Sequence, residues 1–240
     1  MHLLTHFAHS QFKNIYLRGI KLIDLYYWPT ANGIKIPILL EELGVPYKSF
    51  TLNIRKGEHK TEEFKVINPL LRIPAIVDHN DSSSESSVKL FESAAILIYL
   101  AEKYKKFIPA DGSASKIVYP WLFWQVGHIS ATFGQYQRFQ DIQSSEVSEK
   151  IKHDLHAEVS RLYRDFDNHL SLHKYVADEY SIADIALFPF FQPKRHNQNP
   201  DDYPNIKRWA AKIRERPAIK KSYSTALIIA PEEKSLMNWF

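Results

Sequence analysis

Three short stretches of this 240-residue chain carry polar groups where a folded backbone could use them together. In Asn68-Pro69-Leu70-Leu71-Arg72-Ile73-Pro74, the last proline stands directly before the apolar run Ala75 to Val77. Proline at the start of a strand breaks no ladder, and an X-Pro bond is the kind that can be cis. A cis bond there turns a backbone edge toward solvent. Glu92-Ser93 follow the strand-like run Val88 to Phe91 and open a helical one, so a carboxylate, a hydroxyl and free amides crowd one helix N-terminus. Such a place suits a zwitterion. Thr30 and Asn32 lie between the first strand-like run and the next helical one. There a hydroxyl, a carboxamide and the helix dipole would together stabilise an anion. If that anion is a thiolate, its lowered pKa makes it a nucleophile near neutral pH. Taken singly, Thr30 with Asn32 and Glu92 with Ser93 also fit plain helix capping.

The elements that must position these groups are legible in the hydrophobic pattern. Lys21 to Tyr27 is rich in β-branched and aromatic residues and ends at Trp28-Pro29-Thr30, which predicts a buried strand. Tyr26 and Tyr27 are rival hydroxyls but belong to that strand, as core or rim. Asn32-Gly33 open a helix that runs to Gly44, with Pro37 tolerated in its first turn. A strand over Tyr47 to Asn53, a short helix over Thr61 to Ile67, strands over Ala75 to Asp78 and Val88 to Phe91, and a helix from Glu92 to about Tyr104 complete a thioredoxin-like α/β unit. Asp81 to Ser87 reads as a polar hairpin loop.

Beyond a polar connection, strand signals stop and 3.6-residue periodicity takes over. Helices are expected at about Ser115 to Ile142, Glu146 to Leu170, Ser181 to Phe191 and Tyr203 to Arg214, with Pro217 stopping the last. Ser181-Ile182-Ala183-Asp184 reads as a structural capping box. The expected organisation is an extension over 1–20, a thioredoxin-like domain over 21–104, a linker over 105–114 and an all-helical domain over 115–240. The extension has a faint transit-peptide composition but reads as a bland arm outside the fold.

Composition closes several alternatives. Lys and Arg number 31 against 27 Asp and Glu, and the two signs are interspersed, so nucleic acid is not an expected partner. With no cysteine, any thiol chemistry must use a bound thiol. The longest apolar run, Ala94 to Ala101, is far short of the roughly 20 residues of a membrane span, so no membrane association and a cytoplasmic location are expected. No glycine-rich nucleotide loop can be written. His153 with His156 and His169 with His173 share helix faces as zinc ligands would, yet neither cysteine nor His-Glu-x-x-His accompanies them, and no metal is expected. Trp121, Trp124, His128, Phe133, Tyr136 and Phe139 recur at helical spacing, mainly as core. Tyr136 and Arg138 are the members best placed to reach a second-substrate pocket.

In family order, Ile23 to Lys35, Lys56-Gly57-Glu58-His59, Asn68 to Asp78, Leu90 to Leu100, Trp121-Leu122-Phe123-Trp124-Gln125, Gly134-Gln135 and Tyr180 to Ile185 resemble the glutathione transferases, in particular the bacterial nu class of glutathione-dependent disulfide-bond oxidoreductases. The resemblance runs from about Lys21 to about Arg216. It implies a C-terminal helical bundle of the transferase type and glutathione as co-substrate. Ile73, before the proline Pro74 and beside Arg72, would pair main chain to main chain with the peptide. Glu92 and Ser93 would hold its γ-glutamyl end, and Thr30 and Asn32 its sulfur. His59 with Lys56 would reach the glycine carboxylate through charge-assisted bonds. The partner would be a small disulfide, peroxide or electrophile, and the protein a homodimer. The alternative is a non-enzymatic binding or regulatory module, as in the prion-forming nitrogen regulators of the same branch. Two departures are plain: Leu70-Leu71 stand where the class favours polar residues, and Asp154 replaces an arginine four residues before Glu158, which weighs against a second bound glutathione.

Overall fold

The computed structural model describes residues 22–79, 87–140, 142 and 148–232. The extension over 1–20 and nearly all of the expected polar loop lie outside the described residues. Strand β1 (Ile23–Tyr27) pairs in parallel with β2 (Tyr47–Thr51), across helix α1 (Lys35–Leu43). After the short α2 (Glu62–Lys65), β3 (Ala75–Asp78) lies antiparallel to β1 and β4 (Val88–Phe91) antiparallel to β3, giving the order β2-β1-β3-β4. Helix α3 (Ser93–Tyr104) follows β4 directly. This is the thioredoxin-like arrangement. Ile23, Leu25 and Tyr27 alternate inward along β1, and Ile36, Leu39 and Leu40 of α1 with Ile96, Leu97 and Leu100 of α3 share their core. Tyr27 is buried and Tyr26 stacks on Phe50, so neither strand tyrosine offers its ring to a cleft.

The helical part begins with α4 (Ala114–Ile117) and α5 (Tyr119–Trp124), continues through a π-helical segment Gln125–Ser130 into α6 (Ala131–Gln140), and then α7 (Glu149–Leu172), α8 (Ile182–Leu187), α9 (Pro204–Arg214) and α10 (Pro217–Ile229). Helix α7 buries Val159, Leu162, Tyr163, Phe166 and Leu170, one stripe at helical spacing, under Phe133, Phe191 and Trp209. The Ser181–Asp184 capping box is present, and Asp184 also accepts from Trp209 Nε1 at 2.8 Å, which ties α8 to α9. Trp121 and Trp124 pack edge to face against each other and onto Phe166.

Two expectations need correction. The single helix expected from Ser115 to Ile142 is broken near Val118, where Pro120 starts a new helix, and its middle turns are π rather than α. Pro217 does not end the chain's helices. It occupies the first turn of α10, a position that proline's missing N–H suits.

Candidate functional site

The Trp28–Ile34 turn comes first, because every other group converges on it. A Cβ on Gly33 would lie 2.0 Å from the Trp28 carbonyl oxygen, so only glycine allows the chain to fold back so closely. Thr30 Oγ1 accepts from Gly33 N at 3.0 Å, and Ile34 N donates to Thr30 O at 2.9 Å. Helix α1 therefore starts after this turn, with Ile34 as its cap and no side-chain capping bond. Capping of α1 by Thr30 and Asn32 is thus corrected. Thr30 locks the turn, and Asn32 reaches outward. Asn32 Nδ2 donates to Ser130 Oγ at 3.3 Å, while Asn32 Oδ1 accepts from Lys35 Nζ at 2.8 Å and from Ser93 Oγ at 3.3 Å.

The Ile73–Pro74 peptide is cis. Buried Asn68 shapes the approach to it: its Nδ2 donates to Arg72 O at 2.6 Å and its Oδ1 accepts from Leu70 N at 2.9 Å. Leu71 has φ 52° and Glu92 φ 69°, both in the left-handed region that non-glycine residues occupy only when their surroundings hold them there. Exposed Glu92 is the N-cap residue of α3 without a side-chain capping bond, and buried Ser93 is its first helical residue. The carboxylate is thereby left facing solvent at the positive end of a 12-residue helix.

Three hollows meet at the turn. Asn32, Arg72, Ile73, Pro74, Glu92 and Ser93 line one of about 80 Å³, closed from the helical side by Val126 and Ser130. Thr30, Asn32, His59, Arg72 and Ile73, with Lys60, line a larger one of about 600 Å³. Ala31 opens onto a third, of about 110 Å³, walled by Phe133, Gly134, Gln137 and Arg195. Eight of the expected site residues, Thr30, Asn32, His59, Arg72, Ile73, Pro74, Glu92 and Ser93, are brought together.

The other two are not. Tyr136 is 1% exposed, packs its ring near His156 and His196, and accepts from Asn197 Nδ2 at 3.1 Å, so it belongs to the core. Arg138 is exposed and lines none of the three hollows. Helix α6 instead turns Phe133, Gly134 and Gln137 toward the cleft, and Gln137 Oε1 accepts from Arg195 Nε at 2.9 Å. Asp154 is on an exposed face of α7, paired with Lys150 at 2.5 Å, and lines none of the three hollows. Lys56 is exposed outside the larger hollow, whose cations are Lys60 and Arg72. These two with burial hold the His59 imidazole below its ordinary pKa, burial being the larger cause. His59 shares this hollow with Lys60 and Arg72 rather than with Lys56. The histidine pairs have other partners: His169 faces Val176 O at 2.8 Å and His173 faces Asp178 at 2.6 Å. Among the described residues no group of His, Asp and Glu is arranged to hold a metal ion.

Sequence reasoning missed Lys35, Gln125 and Ser130. Lys35 is fully buried and donates to Asn32 Oδ1, to Ser93 Oγ at 3.2 Å and to Gln125 Oε1 at 2.7 Å. Burial holds its ammonium well below the ordinary lysine range, opposed by the Glu92 carboxylate. Gln125 and Ser130 are five residues apart, the hydrogen-bond repeat of a π-turn, and both meet the α/β side.

Residues 22–102 match the family model for the glutathione S-transferase N-terminal domain, and residues 119–217 that for the C-terminal domain. The chain is 38% identical over 199 residues to the disulfide-bond oxidoreductase YfcG of Escherichia coli, covering 82% of this chain and 92% of that one. It is 33% identical over 217 residues to the disulfide-bond oxidoreductase YghU of the same organism, covering 83% and 73%. The crystal structure of a Pseudomonas putida glutathione transferase with one glutathione disulfide bound per subunit superposes with a TM-score of 0.78 at 34% identity, covering 84% of this chain and 90% of that one.

Proposed function

The chain belongs to the glutathione S-transferase family, and on that premise we propose that it is a glutathione-dependent enzyme that reduces small disulfides through the thiolate of bound glutathione. Conjugation of an electrophile or reduction of a peroxide is open to the same thiolate. Glutathione's main chain pairs with the Ile73 edge, its γ-glutamyl end meets Glu92 and Ser93, and its glycine end lies toward His59, Lys60 and Arg72. Thr30 Oγ1 already accepts from Gly33 N, so its hydrogen is free to donate, and Asn32 Nδ2 supplies a second donor for the sulfur.

The reaction needs no protein nucleophile, and the chain has no cysteine to provide one. The thiolate attacks one sulfur of the disulfide, the S–S bond breaks, and the departing thiolate takes up a proton. A second glutathione thiolate then attacks the mixed disulfide, leaving glutathione disulfide and the second reduced thiol. The protein's share is to raise the thiolate fraction and align the two sulfurs.

The observation that carries this reading is the convergence of the cis Ile73–Pro74 edge, Glu92–Ser93 and Asn32 on one hollow. The similarity to the disulfide-bond oxidoreductases YfcG and YghU and to the P. putida transferase with bound glutathione disulfide supports it. Calorimetric titration with glutathione, followed by turnover of a small symmetric disulfide, tests it. Binding with turnover is expected, whereas binding without turnover of disulfide, peroxide or electrophile would make the chain a binding module. We also propose a cytoplasmic homodimer, with Phe123 and Val126, 69% and 43% exposed, supplying apolar surface that a subunit contact would cover. No helix among the described residues is long and apolar enough to cross a membrane. We further propose that the chain divides into an extension over 1–20, a thioredoxin-like domain over 21–104, a linker over 105–114 and a helical domain over 115–240.

A further inference from the structure

Lys35 is the one fully buried lysine among the described residues, and nothing in the proposed chemistry uses it. It stands in the first turn of α1, where the helix dipole opposes a cation, and it donates to three neutral oxygens. A buried amine that unfavourable is kept for what its hydrogens hold. Nζ donates to all three, so each of these groups presents an oxygen to it. Asn32 must therefore turn Oδ1 toward Lys35, and its Nδ2 is left to point the other way, toward Ser130 and the cleft. Ser93 Oγ donates to the same Oδ1, which fixes the carboxamide from a second direction. Gln125 Oε1 takes another of the amine's hydrogens, and the amine lies 5.0 Å from the Phe190 ring centroid, so the same atom is tied to the helical domain on two sides.

We propose that Lys35 is a positioning residue, which sets the Asn32 carboxamide with its donor toward the sulfur of the bound thiol and couples that setting to the helical domain through Gln125. The proposal rests on the reading that Asn32 acts on the sulfur. Glu92 is the charged group whose field reaches Lys35, and Asn32, Ser93, Gln125 and Phe190 complete its surroundings.

The test is the thiolate absorbance of bound glutathione titrated against pH in the wild type, Lys35→Met, Asn32→Ala and the double variant. Methionine keeps the apolar length of the side chain and removes its donors. Lys35→Met should raise the thiol pKa by about one unit, the scale of a hydrogen bond lost from a charged acceptor. Asn32→Ala should raise it as much, and the double variant should add nothing further, because Lys35 acts through Asn32. If Lys35→Met shifts the pKa equally in the Asn32→Ala background, Lys35 acts as a free charge and the positioning role is overturned. If Asn32→Ala raises the pKa while Lys35→Met does not, the role is overturned and the reading of Asn32 survives. If Asn32→Ala changes nothing, that reading itself fails. Should Lys35→Met not fold, Lys35→Gln carries the same comparison: its carboxamide can present either an oxygen or a donor to Asn32, so a smaller rise is expected, and no rise overturns the proposal.

Discussion

Glu42 on α1 and Arg216, at the N-cap of α10, form a two-pronged ion pair across the domain boundary, with Nε donating to Oε1 at 2.5 Å and Nη2 to Oε2 at 2.8 Å. Tyr180 donates to the same Oε1 at 3.2 Å, and its ring lies under the guanidinium at 3.7 Å. The Glu42 side chain is 8% exposed and the Arg216 side chain 28%, so solvent screens the pair only in part. This clamp is on the far end of the helix whose first turn holds Lys35. It ties the C-terminal end of α1 to the start of α10.

Arg216→Ala removes both guanidinium bonds from the nearly buried Glu42 carboxylate and leaves it the Tyr180 hydroxyl. The partly exposed pair is expected to cost about 2 kcal/mol when broken from this side, below the range for fully buried pairs. Urea unfolding measures it, and a change under about 0.5 kcal/mol would place the pair with ordinary surface contacts.

Glu92 separates function from stability. Its φ of 69° is natural for glycine and strained for glutamate. Glu92→Gly should therefore leave the unfolding free energy equal or higher, while glutathione affinity falls by about 1.5–3 kcal/mol, the worth of a hydrogen bond to a charged group. Calorimetry and a thermal melt on one preparation read both, and unchanged affinity removes Glu92 from the γ-glutamyl site.

Gly134 faces the hollow of about 110 Å³ beside Ala31, with no atom within 4 Å of where a Cβ would be. Gly134→Leu fills that space without crowding and gains helix propensity. If the disulfide docks there, its KM should rise about tenfold, equivalent to about 1.4 kcal/mol, with glutathione affinity unchanged. Equal effects on both ligands would put the second substrate elsewhere.

His196 gives a pH dependence of known sign. Burial, and after it the Arg195 guanidinium, push its pKa from 6.5 to about 3, and its Nδ1 meets the Tyr163 hydroxyl at 2.7 Å. Between those values the unfolded chain binds a proton that the native chain refuses. The stability His196 contributes is thus complete above pH 6.5 and is lost as pH falls toward 3, by up to about 1.4 kcal/mol per unit. His196→Gln should flatten the acid limb of a stability–pH curve, and an unaltered slope would mean that other groups set it.

The parts of the fold and site legible in the sequence were those with local signals. Strand patterns, the Ile73–Pro74 dipeptide, Glu92–Ser93 at a strand-to-helix junction and the Ser181–Asp184 box are each fixed within a few residues. Lys35 was not legible, because a lysine at a helix start reads as solvated until Gln125, 90 residues away, is folded over it. Tyr136 and Gln137 are adjacent, and about 100° of helix rotation separates core from cleft, a difference that a stripe of aromatics does not resolve. Pro217 could end one helix or begin another by the same missing N–H, and only the packing of Ile219 and Tyr223 in the core decides it.

The central claim is that Asn32 stabilises the thiolate of a glutathione held by other residues. Steady-state disulfide reduction by Asn32→Ala, with glutathione varied, tests it most directly. The account predicts a kcat about ten- to a hundredfold lower, some 1.4–3 kcal/mol of lost stabilisation, with the glutathione KM changed less than about threefold. An unchanged kcat with a raised KM would show that Asn32 only binds the peptide, and would contradict the mechanism.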